Sequence, residues 1–584
     1  MQMKKIYNLI AVAMVLTLFS CVRDPGGQGG NEKVLEGEHY ISFGFNLGVK
    51  SADVSSRYYD KTLGTLAEQR IDEIYLLMYN ADGNLKYAWK LDAATVEPDD
   101  PESLIIEEFE GDDVAGPSNN YWPYYGFITV ARKVNVEPYS VVVFANPGTE
   151  LRDESIFGRN TGAVIGLNPD LASSRYRNLT ELQSVLTVTG PGAFGADYAA
   201  TGSGNKFFMS NANGPVPVAE SNFYETAQEA ESSDNAVSVY IDRGLAKIIV
   251  NQGENMRVTN GKSDQAIGEV VEFKWGVQSW NLRTYPMRKF AMISDLSYYY
   301  PGEMEDYEKS LLMFRDGARE YIYATDPNMT TADPADFGGH DPANLTMDWN
   351  LYYPNRMSED NFLFSTENTM DVSMQSLSGN WYQYTTNILV NAKIKIFGFA
   401  GLVDYYSVNL GTSSDPDYRV FTWGQAKEWL DSGTFPNDIP GLQEALESIR
   451  PSVESQVAGW RVFDFFNAAS APEYIEGTDG DYYTDSRYKP VSITGNTGLK
   501  VFYHYQGVCQ YRIPIHHIYS AWDDTIGLDT YGHMGVVRNN VYTVTVDRMF
   551  GPGTDGDLAY ISARVTIAPW YISRDQGEIL DPYQ

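Results

Sequence analysis

Between residues 40 and 49 the chain alternates: Ile41, Phe43, Phe45, Leu47 and Val49 are apolar, with Ser42, Gly44, Asn46 and Gly48 between them. A period of two predicts a β-strand with one buried face. A second alternating segment closes the chain, where Ile561, Ala563, Val565 and Ile567 oppose Ser562, Arg564 and Thr566. Between these ends the strand signal recurs. Residues 71–79 and 84–90 flank the turn Asn80-Ala81-Asp82-Gly83 and predict a hairpin. A short buried strand is expected at 140–145, ended by Asn146-Pro147-Gly148, and further strands at 236–241, 247–250, 271–280, 387–399, 499–513, 540–548 and 559–572. Helical spacing is confined to short pieces at 174–186, 427–430 and 442–449. Strands dominate and do not alternate with helices. The expected fold is therefore all-β, built as antiparallel β-sandwiches rather than a parallel sheet. Long loops are expected over 298–370 and 403–495.

The first 21 residues carry a different pattern. Lys4 and Lys5 precede an apolar run from Leu9 to Phe19, and Ser20-Cys21 follows. The run is too short for an ordinary spanning helix and reads as a secretory signal. Leu18-Phe19-Ser20-Cys21 resembles a bacterial lipobox, which implies cleavage before Cys21 and lipidation there, an anchor to the membrane that does not span it. Residues 22–38 are polar and Gly-rich, as a flexible tether would be.

Composition narrows the chemistry. The 584 residues hold 43 Lys+Arg and 77 Asp+Glu, a net charge of −34. A surface that acidic repels phosphate backbones, so no nucleic-acid partner is expected. Two cysteines exclude a disulfide framework, and with Cys21 lipidated, Cys509 is left as a buried structural thiol. Asp479, Asp481 and Asp485 miss the spacing of a calcium loop, and His516-His517 lacks a zincin glutamate. No metal site, cofactor or catalytic residue is predicted, and the chain is not expected to be an enzyme. The aromatic runs at 120–125 and 298–301 fit packing better than ligand stacking.

The C-terminal segment Gly535-Val-Val-Arg-Asn-Asn-Val-Tyr-Thr-Val-Thr-Val546, the turn Gly551-Pro-Gly-Thr554 and the closing Ala563-Arg-Val-Thr-Ile-Ala-Pro-Trp570 resemble the end of the Bacteroidales fimbrillins, the type V pilus subunits. Further similarity runs in order through the lipobox, the segment 41–49 with Arg57, and residues 71–79, 141–146 and 239–250. Residues 275–288 and 386–395 resemble the minor (short) fimbrium subunit group. The resemblance implies two transthyretin-like antiparallel β-sandwich domains with long loops and a few short helices. On that basis residues 1–20 are the signal peptide and 21–57 a lipidated propeptide with a pro-strand at 40–49. Residues 195–235 are rich in Gly, Ala, Ser and Asn before strand patterning resumes, and that shift in composition sets the expected boundary: 58–235 the N-terminal domain, and 236–584 the C-terminal domain ending in a donor strand at 559–572.

The resemblance also implies a mechanism. The pro-strand (Ile41, Phe43, Phe45, Leu47, Val49) fills a groove, an arginine-specific protease cuts behind it, and the donor strand of another subunit (Ile561, Ala563, Val565, Ile567, Trp570) takes its place. Arg57 lies in the polar stretch between two predicted strands and is the expected cleavage site, with Arg70 the alternative. The expected partners are identical or related fimbrial subunits, the protease, and a host or bacterial surface ligand. The expected location is the outer membrane, then the surface fimbrium. A tip or accessory adhesin, and a surface glycan-binding lipoprotein, are the alternatives. Arg538 and Asn539 match the family pattern and are expected to orient a turn.

Overall fold

The computed structural model describes residues 37–47, 71, 73–92, 104–105, 126–148, 151–152, 156, 174–184, 187–188, 207–212, 214–232, 235–281, 283–287, 290–292, 322–324, 362–368, 386–411, 416–448, 450, 499, 501–515, 535–553 and 561–569. Its first half holds strands β1 (Glu38–Ile41), β2 (Phe43–Leu47), β3 (Glu73–Asn80), β4 (Leu85–Asp92), β5 (Leu104–Ile105), β6 (Gly126–Thr129), β7 (Arg132–Asn135), β8 (Tyr139–Ala145), β9 (Thr187–Val188), β10 (Met209–Asn211), β11 (Val216–Val218) and β12 (Val237–Arg243). After Gly244 come β13 (Leu245–Thr259), β14 (Ala266–Gln278), β15 (Arg283–Thr284), β16 (Phe290–Met292), β17 (Ile322–Ala324), β18 (Phe362–Thr366), β19 (Asn387–Ile396), β20 (Tyr405–Asn409), β21 (Tyr418–Thr422), β22 (Val501–His504), β23 (Val508–Pro514), β24 (Asn540–Phe550) and β25 (Ile561–Pro569). The fold is all-β with a few short helices.

Two sheets dominate. The first runs β4-β3-β8-β10-β12-β2-β6-β5, with β11 beside β8. The second runs β23-β19-β14-β13-β24-β25, with β18 beside β13. The predicted hairpin is β3 and β4, in register from Glu73–Asp92 to Tyr79–Leu85. Its turn is held by the Asn80 side chain, which accepts a bond from Asn84 N–H at 2.9 Å. Most pairs are antiparallel, as expected, but each main sheet contains one parallel pair, β2 with β12 and β13 with β24. Parallel neighbours cannot be joined by a tight turn, and here residues 48–236 and 260–539 lie between the paired strands.

The chain passes from the first sheet to the second at Gly244, whose N–H donates to Phe208 carbonyl at 2.8 Å. The expected boundary at 235/236 therefore falls just before β12, a strand of the first sheet. One hydrophobic core serves β2, β3, β4, β8 and β12 and extends to Leu245, Phe364 and Val541 of the second sheet's strands. A second core lies on β13, β14, β19, β23 and β24.

Two expectations need correction. Residues 499–513 form two strands, not one. β22 and β23 are separated by a 3-10 turn at Tyr505–Gly507 and belong to different sheets. Gln506 in that turn has a φ of 48°, so the alternating run is broken by a backbone reversal that its apolar composition hides. The stretch 403–495 is also not all loop. Strands β20, β21 and β22 form a small sheet, and helices Trp423–Ser432 and Leu442–Ser448 share a core with it that includes Tyr406, Phe421, Leu430 and Leu446. The longer helix starts with a reciprocal cap: Thr422 hydroxyl accepts Gln425 N–H, and the Gln425 side chain accepts Thr422 N–H. It ends at Gly433 with a φ of 69°. Among the described residues no helix is long and apolar enough to cross a membrane.

Candidate functional site

The segment read as a pro-strand lies in the interior of the first sheet. β2 runs parallel to β12, with Phe43 opposite Val237, Phe45 opposite Val239 and Leu47 opposite Ile241. On its other side it is antiparallel to β6, with Phe45 opposite Phe127. β1 turns outward to pair with β7, Ile41 opposite Arg132. Ile41, Phe43 and Phe45 have no exposed surface. The Phe43 ring tilts against that of Trp89 at 6.2 Å.

Polar contacts seat the same strand. Tyr40 N–H donates to Tyr224 carbonyl at 2.8 Å, and Tyr224 N–H returns a bond to Tyr40 carbonyl at 2.9 Å. Phe43 N–H donates to Thr129 Oγ1 at 3.1 Å. Ser42 carbonyl accepts Val237 N–H at 2.9 Å, and Ser42 hydroxyl donates to Ala230 carbonyl. Ser42 and Thr129 are fully buried, so each needs such a partner to offset its desolvation. Backbone bonds therefore hold the strand, and alternate side chains set its register.

The segment read as a donor strand lies elsewhere. β25 pairs antiparallel with β24, with Val546 opposite Ala563, Val544 opposite Val565 and Tyr542 opposite Ile567. Among the described strands it stands at the edge of the second sheet. The structure thus does not bring the two segments together in one molecule. Cys21, Val49, Arg57, Arg70 and Trp570 lie outside the described residues, as do Asp479, Asp481, Asp485, His516, His517 and both aromatic runs.

Arg538 does more than orient a turn. It is 1% exposed, and its Nε lies 3.0 Å from Oε2 of an equally buried Glu367. Its N–H groups also donate to Thr284 Oγ1 at 3.1 Å and to Tyr285 carbonyl at 2.9 Å, while its own backbone N–H donates to Glu367 Oε1 at 3.3 Å. Asn539 adopts a φ of 60°. Its side chain donates to Asp242 Oδ1 at 2.7 Å and accepts from Arg243 Nη1 at 3.3 Å. Asn539 ties the entry of β24 to the end of β12, where the chain changes sheets, and Arg538 fixes that entry to Glu367, Thr284 and Tyr285. Sequence reasoning missed this joint. The available signal was an arginine adjoining a run of strand-forming residues, which has to find a buried partner if it folds inward.

Cys509 is buried and unpaired as a disulfide, as expected. Its sulfur lies 3.3 Å from Tyr405 Oη and 3.4 Å from His504 Nδ1. His504 Nε2 meets Ser407 hydroxyl at 2.8 Å, and Nδ1 is 2.9 Å from Val508 carbonyl. Burial pushes the thiol up to about 12 and the imidazole down to about 4, the Val508 carbonyl opposing the second shift. A protonated thiol and a neutral imidazole, both fully buried, are groups with no access to a substrate. This cluster is packing. Among the described residues no set of three or more His, Cys, Asp or Glu side chains could hold a metal ion.

Residues 502–576 match the family model described as major fimbrial subunit protein type IV, fimbrillin, C-terminal. Over this C-terminal span the chain is similar to the fimbrillins. The matched span covers β23, β24, β25 and Arg538, the parts of the second sheet that carry the joint and the edge strand. The match does not distinguish the short-fimbrium group. No curated protein matches the chain. Among solved structures, the chain is similar to a Parabacteroides distasonis protein described as a candidate cell adhesion protein (11% identity, covering 91% of this chain and 100% of that one, TM-score 0.36). It is also similar to the C-terminally truncated tip fimbrial protein Mfa3 from Porphyromonas gingivalis (9% identity, 91% and 100%, TM-score 0.34). A third is a fimbrial assembly protein from Parabacteroides distasonis (11% identity, 67% and 97%, TM-score 0.27). At these scores the fold stands on the strand pairing described above.

Proposed function

We propose that this chain is a structural fimbrial subunit, exported as a lipoprotein through Cys21 and polymerised by strand exchange once it is cut after Arg57. The observation that carries the reading is the seat of β2. A strand from the extreme N-terminal end of the described chain is buried between β12 and β6, and Ile41, Phe43 and Phe45 belong to the core. Each buried side chain of that size is worth about 1.5–3 kcal/mol gross, and association costs offset part of it.

The bond between this strand and the rest of the chain sets the order of events. While the stretch after Leu47 is intact, β2 competes for its groove at the high effective concentration of a tether. Cutting at Arg57, or at Arg70, removes that advantage. The groove would then be missing one ribbon, with unpaired backbone on β12 and β6. β25, at the edge of the second sheet, carries the alternation that such a groove accepts. Its partners are identical or related subunits, and its site of action is the fimbrium on the outer surface.

Limited trypsin treatment of the chain from residue 22 tests the reading. The expected result is an early nick after Arg57 followed by SDS-resistant ladders, which truncation after Gly556 abolishes. A nicked chain that stays monomeric under every condition would rule out the stalk role.

A further inference from the structure

Residues 40–47 read Tyr-Ile-Ser-Phe-Gly-Phe-Asn-Leu, and residues 560–567 read Tyr-Ile-Ser-Ala-Arg-Val-Thr-Ile. Three identical residues lead into the same alternation. In the first segment the serine is where the groove demands a polar group. Ser42 is fully buried beneath the helix Ala227–Ala230 and donates to the carbonyl of Ala230. That carbonyl is among those a helix leaves without an internal partner at its C-terminal end.

Within the strand-exchange reading above, we propose that residues 560–567 of a second copy enter the groove parallel to β12 in one register, Tyr560-Ile561-Ser562 on the places of Tyr40-Ile41-Ser42, with Ser562 as the residue that sets it. The competing registers fail for separate reasons. A shift by one residue turns every apolar side chain away from the core. A shift by two puts either Arg564 or Tyr560 on the Ser42 site. The first buries a charge under the helix, and the second forces a phenol into a serine's space. A shift by four supplies a hydroxyl from Thr566 but brings Pro569 to the place of Phe45. That place is mid-strand between β12 and β6, where a proline has no N–H to give.

In the proposed register Arg564 falls on Gly44. Gly44 is itself buried, but the residue opposite it on β12 is Ser238, which is exposed, so in this register the guanidinium has to run past Ser238 to reach water. Ala563 and Val565 fall on Phe43 and Phe45. Both are smaller, so the chain's own donor underfills the space beside Trp89 that the Phe43 ring occupies. The groove therefore discriminates by two readings, a hydroxyl at the Ser42 place and bulk at the Phe43 place.

The test uses the nicked chain from residue 22 carrying Val237→Cys, since Val237 stands opposite Phe43. Cys509, the other thiol in that chain, is buried. Labelled peptides of residues 558–571, each with one cysteine replacing residue 561, 563, 565 or 567, are added under mild oxidation. Cross-linking at 563 is expected. Without the cysteines, Ser562→Val is expected to weaken peptide capture about tenfold by leaving the Ala230 carbonyl unpaired. Ala563→Phe is expected to tighten it about tenfold by filling the space. Cross-linking chiefly at 561, 565 or 567 overturns the register, as does a loss on Thr566→Val with none on Ser562→Val. If the wild-type peptide is not captured and the nicked chain does not polymerise, strand exchange itself fails and the register falls with it.

Discussion

His504 shows what burial does to a single group. Its imidazole stacks on Tyr405 at 4.8 Å and is bonded to Ser407 and to Val508 carbonyl. Desolvation holds its pKa down at about 4, against 6.5 for a free histidine. In the unfolded chain it takes up its proton near pH 6.5, so between those values the unfolded state binds more protons than the folded one. Stability from this site is thus fully present above pH 6.5 and is lost as pH falls towards 4, on the order of 3 kcal/mol in all. Urea midpoints measured from pH 7 to pH 4 should decline over that window, and His504→Gln should flatten the decline. A slope unchanged by the substitution would assign the acid sensitivity to other groups. Gly551 is a second residue with one allowed identity. Its φ is 71°, and a Cβ there would run into the Tyr418 ring, so steric exclusion and backbone conformation select glycine together.

At the scale of elements, the entry of β24 rests on Arg538 and Glu367. Removing one member of a fully buried ion pair strands the other, at a cost of about 3–5 kcal/mol. Arg538→Met and Glu367→Leu should each lower the denaturation midpoint strongly, and the double variant should recover most of the loss. A double variant no better than either single one would mean that the bonds from Arg538 to Thr284 and Tyr285, not the ion pair, hold that entry. The small sheet β20–β22 with its two helices is a different sort of element. Its longer helix announces itself through Thr422, Gln425 and Gly433, a start and stop signal that local chemistry alone supplies.

For the molecule as a whole, the decisive feature is that one core accepts residues from both ends of the chain. Ile41, Phe43 and Phe45 pack into the cluster that also reaches Leu245, Phe364 and Val541. Deleting residues 22–57 removes three fully buried apolar side chains and opens one gap between β12 and β6. The truncated chain is expected to melt at least several degrees lower than the longer one and to self-associate in size-exclusion chromatography. A deletion variant with unchanged melting and a monomeric profile would show that the first sheet closes without its N-terminal strand.

The elements themselves were legible in the amino-acid order because their causes are local. Alternation at 41–47 and 561–567 and the continuous apolar run at 74–79 dictate strands, Asn80-Ala-Asp-Gly83 dictates a reversal, and the Val-Arg-Asn run carries the resemblance to the fimbrillins. Pairing was not legible. Nothing near Phe43 says that it will lie parallel to Val237, nor near Arg538 that Glu367 will meet it, because those partners are 194 and 171 residues away. Likewise the run at 501–513 keeps its strand character while its two halves enter different sheets. Local periodicity decides which residues want a buried face. Only the closed sheets decide which neighbour covers it, since burial is a property of the assembled core and not of any one segment.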